Sequence, residues 1–471
     1  MFEIFNSDVN PKNWGLIIQI NFDFFLNGTI IPLVMNFKKY LKILFFIFIL
    51  STTYIISGKS ENRRGSSYLF EVAKVTADTL PYKVISKGRV SGEYQAVPDA
   101  CQLKNGDIVA VFYAGDDHVT FPSKKFPKAG RICLVRSKDE GRTWSKPVVI
   151  YDDIDDNRDP HINQLSDGSL ICSFFSLKFY APDSIKWASK ESSYTKEQVA
   201  RFGNNPDLLK EQQPLNTREK ARQTDPAPKK WTGQGPFVIK SFNNGKTWER
   251  KAKSVATSTL NWYCSAKVRE MPDGTCLLPV YYSEISEHLA WGGVISSNDK
   301  GKTWGKEVSI GEEANLILAA ETDVVLLNDK TLFASLRGDG SKVNMHYATS
   351  KDLGKTWSPV NDIGFVGHSP SFTRLKTGEI LLSYRAFCTK IGYFTGLRIS
   401  RDEAKTWEGP YLVDEKVGGY PSTVELKDGT ILIIYYEEGE GSAIRALRFK
   451  KPMAAYGEQF PEPKRIEALS L

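Results

Sequence analysis

The sequence predicts an all-β fold, a six-bladed β-propeller of four-stranded antiparallel blades. Three observations lead to this prediction. An eight-residue turn motif occurs five times, a short hairpin signal occurs six times, and the two kinds of turn alternate along much of the chain. The last four copies of the turn motif start 50 to 56 residues apart. A period of this length is typical of one supersecondary unit repeated in a stack or a ring.

The turn motif follows the pattern Ser-x-Asp-x-Gly-x-Thr-Trp, and its copies start at Ser137, Ser241, Ser297, Ser350 and Ser400. The Asp side chain can accept hydrogen bonds from backbone N–H groups, the Gly can take a positive φ, and the Trp can cover the sheet. Two copies depart from the pattern, because Asn243 replaces the Asp and Ala404 replaces the Gly. The second replacement predicts a turn that is strained or of another type.

The hairpin signals lie between apolar runs, where two-residue turns join antiparallel strands. They are Leu103–Gly106, Leu165–Gly168, Met271–Gly274, Leu327–Lys330, Leu375–Gly378 and Leu426–Gly429. Each unit therefore contains a hairpin of two strands, a connector, and two more strands around the Trp turn. Six such units close into a ring that leaves no long sheet edge exposed. Since the sixth unit lacks a Trp turn, we expect Tyr82–Gly88 to supply its outer strand.

The domain organisation follows from these repeats. The propeller is predicted over residues 80–471, and residues 1–60 precede it as an N-terminal extension. Residues 177–231 form an insertion in the second unit, rich in Lys, Glu, Gln, Asn and Pro. Long loops in compact domains are usually functional or solvated, so a lid over a pocket and a solvated insertion both remain open.

Residues 35–57 have the features of an export signal. Lys38, Lys39 and Lys42 precede the apolar run Ile43–Leu50, and small and polar residues follow it. Met35 is a natural start for such a signal, which makes the residues before it an upstream extension. The apolar run is short for a membrane span of about 20 residues. We therefore predict export to the periplasm or the extracellular space, with an uncleaved signal that anchors the protein to the membrane as the alternative.

Charge and cysteine content exclude some classes of partner. The net charge is +7, but no basic run with interleaved aromatic residues is present, so the excess Lys is interpreted as solvated surface and no nucleic-acid partner is predicted. The six cysteines lie mostly in apolar strand runs without CxxC or His-rich spacing. This pattern favours buried free thiols and predicts neither a metal site nor a cofactor.

One face of the propeller is expected to carry the function. The hairpins and the Trp turns share one end of the blades, so the other end collects the residues before each first strand and after each second strand. Before the first strands lie Gln95–Pro98, Arg158–His161, Asn261–Ser265, Glu321, Gly367–Ser369 and Gly419–Pro421. After the second strands lie Asp116–His118, Tyr281–Glu284, Arg337, Arg385 and Glu437–Glu438. Acidic, basic and phenolic groups around one depression predict a polar pocket of the size of a sugar.

The Trp turns resemble the Asp-box (BNR) repeats of the sialidase (neuraminidase) superfamily, from about Tyr82 to Phe449. The segment Gly419–Leu426, with Asp428–Ile431 and Tyr435–Glu437 after it, is similar to the segment that bears the nucleophilic tyrosine of that family. The resemblance implies an exported exo-glycosidase that releases terminal sialic acid or a related acidic sugar from a glycan or glycoconjugate.

The resemblance also implies roles for individual residues. Tyr420 would be the nucleophile, activated by Glu321, and Arg337 and Arg385 would bind the substrate carboxylate, with Arg374 as the alternative to Arg385. The acid/base would be Asp116 or Asp117, Asp159 would lie on the pocket rim, and Glu437 would orient an arginine. One position departs from the family, because Ala96 stands where its first carboxylate-binding arginine is found. Arg158 is the candidate substitute.

Two other functions fit the same fold. The propeller could cleave another glycan by hydrolysis or as a lyase, with His118, His161, Tyr263 or Tyr282 as acid/base, or it could bind glycans without catalysis through Trp262, Tyr263 and Tyr282. The presence of both Tyr420 and Glu321 favours an enzyme over a binding protein. The missing arginine at Ala96 favours cleavage of another glycan over strict sialidase action.

Overall fold

A computed structural model describes residues 21–26, 29–34, 82–88, 91–120, 127–179, 231–257, 261–284, 289–314, 318–338, 343–416, 418–438, 442–452, 459–466 and 468–469. The chain divides into two units, Met1–Lys74 and Val75–Leu471. The described part of the first unit is an antiparallel hairpin of the strands Asn21–Leu26 and Thr29–Val34. The predicted export signal and residues 180–230 of the predicted insertion lie outside the described residues. No helix in the described part of the chain is long and apolar enough to cross a membrane.

The second unit is the predicted six-bladed propeller, and the strands of each blade follow one another from the centre of the ring outward. Blade 1 consists of Tyr94–Gln102, Ile108–Gly115, Arg131–Ser137 and Val148–Tyr151. Blade 2 consists of Asp156–Gln164, Leu170–Phe179, Trp231–Ser241 and Lys253–Ser254. Blade 3 has an inner strand in two pieces, Trp262–Cys264 and Arg269–Glu270, followed by Cys276–Glu284, Leu289–Ser297 and Glu307–Ile310.

The last three blades repeat the same antiparallel order. Blade 4 consists of Leu318–Leu326, Leu332–Gly338, His346–Ser350 and Asn361–Asp362, and the 3-10 helix Glu312–Ala314 precedes it. Blade 5 consists of Gly367–Arg374, Ile380–Cys388, Gly392–Ser400 and Glu408–Asp414, with Gln459–Arg465 added in parallel. Blade 6 consists of Gly418–Glu425, Ile431–Glu437 and Ala443–Phe449.

The ring closes through blade 6. The strand Lys83–Lys87, which precedes blade 1 in the sequence, pairs antiparallel with Ala443–Phe449 and becomes the outer strand of blade 6. Ala468–Leu469 pairs with the other end of the same strand. The expected closure by the run Tyr82–Gly88 is therefore confirmed. It satisfies a sheet edge that would otherwise be open and joins the start of the propeller to its last blade.

The hydrophobic core lies between neighbouring blades. One cluster joins blades 6 and 1 through Phe112, Tyr113, Leu432 and Ile434, all of which are buried. The six cysteines are free thiols, and five of them are buried in such interfaces, as the apolar surroundings in the sequence predict. Burial raises the pKa of the Cys101 thiol to about 12, so this group packs as a small neutral side chain.

The turn motif forms the same hydrogen bonds in all five copies. The hydroxyl of the first Ser accepts the N–H of the fifth residue at 2.8 to 2.9 Å. The Asp or Asn oxygen accepts the N–H of the Thr at 2.8 to 2.9 Å. Hydrogen bonds from Thr356 hold the pKa of Asp352 at about 2. Ala404 adopts a φ of 61°, so the last turn is of the same type and its alanine is strained.

Replacing Ala404 by glycine is expected to stabilise the protein. The left-handed conformation costs an alanine about 1–2 kcal/mol, and the additional chain entropy of a glycine offsets about 0.5–1 kcal/mol of that gain. The midpoint of urea unfolding should therefore rise by an amount equivalent to about 0.5 kcal/mol. The reverse change, Gly354→Ala, is the matched control and should lower the midpoint, since Gly354 has a φ of +86° and an added Cβ would lie 3.2 Å from Val294. A midpoint of urea unfolding that is lower for Ala404→Gly than for the wild type would contradict the backbone strain at Ala404.

Candidate active site

The inner strands of five blades carry a β-bulge at the same place, where the pairing register shifts. The bulge contains a non-glycine residue with positive φ: Val97 (50°), Asp159 (47°), Ala320 (52°), Ser369 (53°) and Tyr420 (46°). Such conformations are strained and persist only where the surrounding structure holds them, and a bulge redirects the side chains around it. Residues at or next to four of these bulges, including Pro98, His161, Ser369 and Tyr420, line one pocket.

Tyr420 and Glu321 form the centre of the site. The Tyr420 hydroxyl donates to Glu321 Oε1 at 2.6 Å. The other carboxylate oxygen accepts the backbone N–H and the hydroxyl of Ser369 at 2.9 and 2.8 Å. Burial alone would raise the pKa of Glu321, but the charge of Arg337 and these hydrogen bonds hold it below its usual range. Glu321 is therefore ionised and is oriented to accept the phenolic proton.

Two arginines lie against Tyr420. Arg337 Nη1 donates to Glu321 Oε1 at 2.7 Å and to the Tyr420 hydroxyl at 3.3 Å. The guanidinium of Arg385 lies 5.1 Å from the centre of the Tyr420 ring. Gly419 has a φ of +98°, and a Cβ there would lie 2.9 Å from the Cβ of Arg385. Glycine is thus required both for the backbone angle and for the close approach of Arg385.

The phenol of Tyr420 is protonated in the free protein. Burial and the charge of Glu321 raise its pKa, although Arg337 and Arg385 act in the opposite direction. A phenol becomes a useful nucleophile when a neighbouring carboxylate accepts its proton during the attack. Glu321 is within hydrogen-bond distance for this role, so the pair has the geometry of a nucleophile and its base.

A second charged group lies on blade 2. Arg158 is buried, and its guanidinium contacts the carboxylates of Asp156 at 3.3 Å and Asp159 at 3.9 Å. Arg158 also donates to the backbone carbonyl of His118. Burial raises the pKa of Asp156 to about 6, against the lowering effect of Arg158 and a hydrogen bond from Tyr113. The guanidinium of Arg158 therefore already binds groups of blade 2 and of blade 1. This weakens its expected role as a substitute for the arginine missing at Ala96.

A hydrogen-bonded chain connects blades 5, 6 and 1 beside Tyr420. Arg385 donates to the Tyr436 hydroxyl at 3.0 Å, and Tyr436 donates to Glu438. Glu438 also accepts the Tyr94 hydroxyl at 2.9 Å, and that hydroxyl lies 2.8 Å from Nδ1 of His118. The chain places a carboxylate and an imidazole on the side of the pocket where the family resemblance implies the absent arginine.

The expected donors Asp116 and Asp117 lie in a tight turn after the second strand of blade 1. The Thr120 hydroxyl accepts the N–H of Asp116 at 2.9 Å, and an Asp117 carboxylate oxygen accepts the N–H of His118 at 2.6 Å. The described contacts of Asp117 are thus within its own loop and with Tyr113 on the strand before it. They do not connect it to Tyr420.

Three predicted residues lie outside the group around Tyr420. Glu437 orients an arginine, as the resemblance implies, and that arginine is Arg445, which also binds Asp414 of blade 5. Glu438 occupies the site instead. Tyr282 stacks on Trp291, with ring centres 4.2 Å apart, on the opposite side of its strand from Tyr281. Arg374, the alternative to Arg385, pairs with Glu403 and is not part of the cluster.

Tyr281 joins the cluster, although it was predicted only as part of a rim segment. Burial raises the pKa of its phenol, and so do the charges of Glu321 and Asp159. Tyr263 stacks on it with ring centres 5.0 Å apart.

Beneath Tyr420, three charged or titratable side chains lie in the channel of the ring. Lys267 Nζ lies 2.9 Å from Asp99 Oδ1, and His161 Nδ1 lies 3.7 Å from Asp99 Oδ2. Lys267 also donates to the carbonyl of Ala100 at 2.6 Å and to the hydroxyl of Ser422 at 3.3 Å. His161, predicted as a substrate residue or an acid/base, thus lies next to a buried ion pair at the base of the pocket.

Sequence reasoning missed Tyr94, Asp99 and Lys267 as parts of the site, and it included Ser369 only as part of a rim segment. One signal was available for Ser369, because four of the five bulge residues precede a proline: Pro98, Pro160, Pro370 and Pro421. Three of the residues before these prolines are Asp159, Ser369 and Tyr420, and all three belong to the site. The other missed residues have no local signal.

Comparisons with known proteins agree with this architecture. The chain matches the family described as BNR repeat-like domain over residues 177–434. No curated protein matches it significantly. A protein of unknown function from Dyadobacter fermentans is 22% identical, with a TM-score of 0.58 over 78% of this chain and 97% of the other. The NanB sialidase from Streptococcus pneumoniae is 16% identical, with a TM-score of 0.55 over 79% of this chain and 71% of the other.

The same fold also occurs in a different glycosidase. The α-L-arabinofuranosidase from Fusarium graminearum is 14% identical, with a TM-score of 0.50 over 79% of this chain and 98% of the other. At such identities the structural similarity establishes the fold alone, and activity depends on the residues of the site. The family match spans more than half of the length of this chain. The chain therefore belongs to the BNR repeat-like domain family and shares the propeller fold of the sialidases.

Proposed function

We propose that the protein is a retaining exo-glycosidase that removes a terminal acidic sugar, sialic acid or a relative of it, through a covalent bond to Tyr420. The observation that carries this proposal is the hydrogen bond of 2.6 Å between the Tyr420 hydroxyl and Glu321, with two arginines beside the phenol. Glycosidases with a tyrosine nucleophile are a known exception to the scheme with two carboxylates.

The chemistry of the pair supports an anionic substrate. A carboxylate nucleophile would be repelled by a sugar that carries its own carboxylate near the anomeric carbon, whereas a neutral phenol is not. Glu321 accepts the phenolic proton as the bond to the anomeric carbon forms. Arg337 and Arg385 lie close enough to Tyr420 to bind a carboxylate on that carbon.

A second candidate is cleavage of another glycan by the same fold. It is favoured by the chain of Tyr436, Glu438, Tyr94 and His118, which begins at Arg385 and presents acceptors suited to sugar hydroxyl groups. Ala96 contributes no charge there. Such an enzyme would share the nucleophile and differ in the sugar that it accepts.

A hydrolase also needs a proton donor for the departing oxygen. Asp116, Asp117 and Asp159 are the candidates among the described residues of the site.

We also propose that the protein is exported, on the basis of the basic and apolar pattern of residues 35–57. A glycan or glycoconjugate outside the cell would then be its partner.

The test is covalent trapping with 2,3-difluorosialic acid. Fluorine beside the anomeric carbon slows hydrolysis of the intermediate, so the intact mass should rise by one fluorosialyl unit and peptide mapping should place the label on Tyr420. Tyr420→Phe is the matched control and should stay unlabelled. A label on another residue would refute the nucleophile. Absence of label, together with release of sugar only from neutral or uronic-acid glycans in a mixed-glycan screen, would favour the second candidate.

A further inference from the structure

We propose that Tyr113, which is held by the buried carboxylate of Asp156, positions the loop of residues 116–120 for proton transfer to the departing glycosidic oxygen. This inference rests on the proposed function and takes Asp116 or Asp117 of that loop as the proton donor, as the family resemblance implies. Tyr113 and Asp156 are positioning residues, because both are fully buried and act through the loop.

Four side chains of blades 1 and 2 form a buried cluster next to this loop. Tyr113, Thr120 and Asp156 are at most 1% exposed, and Arg158 is 5% exposed. The Tyr113 hydroxyl donates to Asp156 Oδ1 at 2.8 Å. The guanidinium of Arg158 contacts the other carboxylate oxygen at 3.3 Å and lies 5.0 Å from the centre of the Tyr113 ring. Since buried charges are costly unless they are paired and hydrogen-bonded, these contacts fix the orientation of the phenol.

Two glycines make room for the cluster. A Cβ at Gly130 would lie 2.0 Å from Asp156 Oδ1 and 2.4 Å from the Tyr113 ring. A Cβ at Gly115 would lie 1.9 Å from the Thr120 hydroxyl oxygen and 2.8 Å from the Tyr113 hydroxyl oxygen. Neither glycine has a positive φ, so glycine is needed at both positions for the close approach of these side chains and not for the backbone angle.

The phenolic oxygen of Tyr113 connects the cluster to the backbone of the loop. It accepts the N–H of Thr120 at 3.2 Å. The Thr120 hydroxyl oxygen lies 2.8 Å from it and accepts the N–H of Asp116 at 2.9 Å. Burial raises the pKa of Asp156 to about 6, so the carboxylate is ionised above this pH and can only accept hydrogen bonds. The phenolic proton is therefore directed to Asp156, and the phenolic oxygen remains an acceptor for Thr120.

The loop is also connected to the pocket. Arg158 donates to the backbone carbonyl of His118. The Nδ1 atom of His118 lies 2.8 Å from the Tyr94 hydroxyl, which belongs to the hydrogen-bonded chain beside Tyr420. A displacement of the loop would therefore change the positions of both of its aspartates relative to the nucleophile.

The proton transfer is sensitive to such a displacement. In this step the glycosidic bond breaks, and its oxygen takes the proton of the loop carboxyl group, which must lie within hydrogen-bond distance of it. A displacement of about 1 Å can cost about 10²-fold in rate. The buried cluster thus supplies the rigid support that a general acid on a loop requires.

The test is the leaving-group dependence of Tyr113→Phe, which removes only the phenolic oxygen and retains the contact between Asp156 and Arg158. With 3′-sialyllactose, whose departing alkoxide needs a proton, kcat/KM should fall by about 10–100-fold. With 4-nitrophenyl α-sialoside, whose phenolate leaves unaided, kcat/KM should fall by at most about threefold. Labelling of Tyr420 by 2,3-difluorosialic acid should persist, because the nucleophile and Glu321 are unchanged.

A pair of substitutions at Thr120 tests the same connection from the loop. Thr120→Val keeps the shape of the side chain but removes its hydroxyl, so it should show the same leaving-group dependence as Tyr113→Phe. Thr120→Ser retains the hydroxyl and should keep kcat/KM on 3′-sialyllactose close to the wild-type value. Equal losses in the valine and serine variants would contradict a role for the hydroxyl.

Tyr435→Phe is the matched control. The Tyr435 hydroxyl donates to Asp414 Oδ2 at 2.9 Å, and Arg445 donates to the same oxygen at 2.8 Å. This second group of Tyr, Asp and Arg joins blades 5 and 6, so its loss should lower stability without a leaving-group dependence. No loss or equal losses on both substrates in Tyr113→Phe, or the same dependence in Tyr435→Phe, would overturn the proposal.

A readout without substrate separates this proposal from the proposed function. Hydrogen–deuterium exchange of the peptide that covers residues 114–120 should become faster in Tyr113→Phe and remain at the wild-type rate in Tyr435→Phe. Unchanged exchange in Tyr113→Phe would show that Tyr113 does not hold the loop. A wild-type protein that is neither labelled nor active on any sialoside would instead refute the proposed function.

Discussion

Replacing Tyr420 by phenylalanine is expected to abolish turnover while the protein remains folded. Without the phenolic oxygen no glycosyl–tyrosine bond can form, and removal of a nucleophile that acts together with its base costs on the order of 10⁴-fold or more in kcat. Glu321 keeps its hydrogen bonds to Arg337 and Ser369 in the variant, so its charge stays compensated. The measurement is steady-state release of sugar from the best substrate of a mixed-glycan screen.

Tyr384→Phe is the matched control for this experiment. Tyr384 is a buried tyrosine of blade 5 whose hydroxyl accepts a hydrogen bond from Arg398 at 2.9 Å. The substitution removes the same atom from a similar environment, but it leaves Tyr420 and Glu321 unchanged. We expect a modest loss of stability and a kcat close to that of the wild type. A Tyr420→Phe protein that turns over at more than about one tenth of the wild-type rate would remove Tyr420 from the mechanism.

Replacing Asp99 by asparagine is expected to destabilise the propeller by about 3–5 kcal/mol, the cost of breaking a buried ion pair. Asp99 and Lys267 are 2% and 8% exposed, respectively, and their charged atoms lie 2.9 Å apart. The substitution leaves the ammonium group without its counter-ion. Asp99 also accepts the N–H of Ile162 at 2.8 Å, so the pair connects the inner strands of blades 1, 2 and 3. Urea unfolding followed by tryptophan fluorescence measures the change.

The double variant Asp99→Asn/Lys267→Met tests the origin of this loss. If the uncompensated charge of Lys267 causes it, removal of that charge should restore part of the stability, as a double-mutant cycle measures.

Burial would raise the pKa of Asp99, but Lys267 and His161 hold it far below its usual range. The contribution of ionised Asp99 to the free energy of unfolding should therefore be complete above pH about 4 and be lost as the pH falls below that value. A loss below about 1 kcal/mol in the single variant would show that the ion pair does not stabilise the ring.

The fold was predictable because its signals are local. In each Trp turn, the polar groups of the Ser, Asp and Thr form hydrogen bonds within five residues of sequence. The same eight-residue pattern therefore produces the same turn wherever it occurs. The strand that closes blade 6 was predictable for a related reason. Five units contain the Trp turn and the sixth does not, and a closed ring leaves one position for the unpaired run before blade 1.

The site was predictable only in part. Tyr420 and Glu321 were identified from their resemblance to a family, and the structure brings them to 2.6 Å although they are 99 residues apart. Glu438 and Tyr281 lie in the cluster around Tyr420, whereas their neighbours Glu437 and Tyr282 contact other groups. Successive side chains of a strand point to opposite faces. The sequence does not show which of two adjacent polar residues at the end of a strand faces the pocket.

The sequence by itself determined the propeller, its six units and the end of the blades that carries the polar residues, because turn chemistry and hydrophobic alternation act over a few residues. The tertiary structure decided which of two adjacent side chains enters the pocket, which carboxylates are already bound, and which partner each arginine takes. Those outcomes depend on contacts between residues far apart in the sequence, such as Ser422 with Ala100, which are 322 residues apart. No local pattern encodes them, since each contact exists only when the ring is closed.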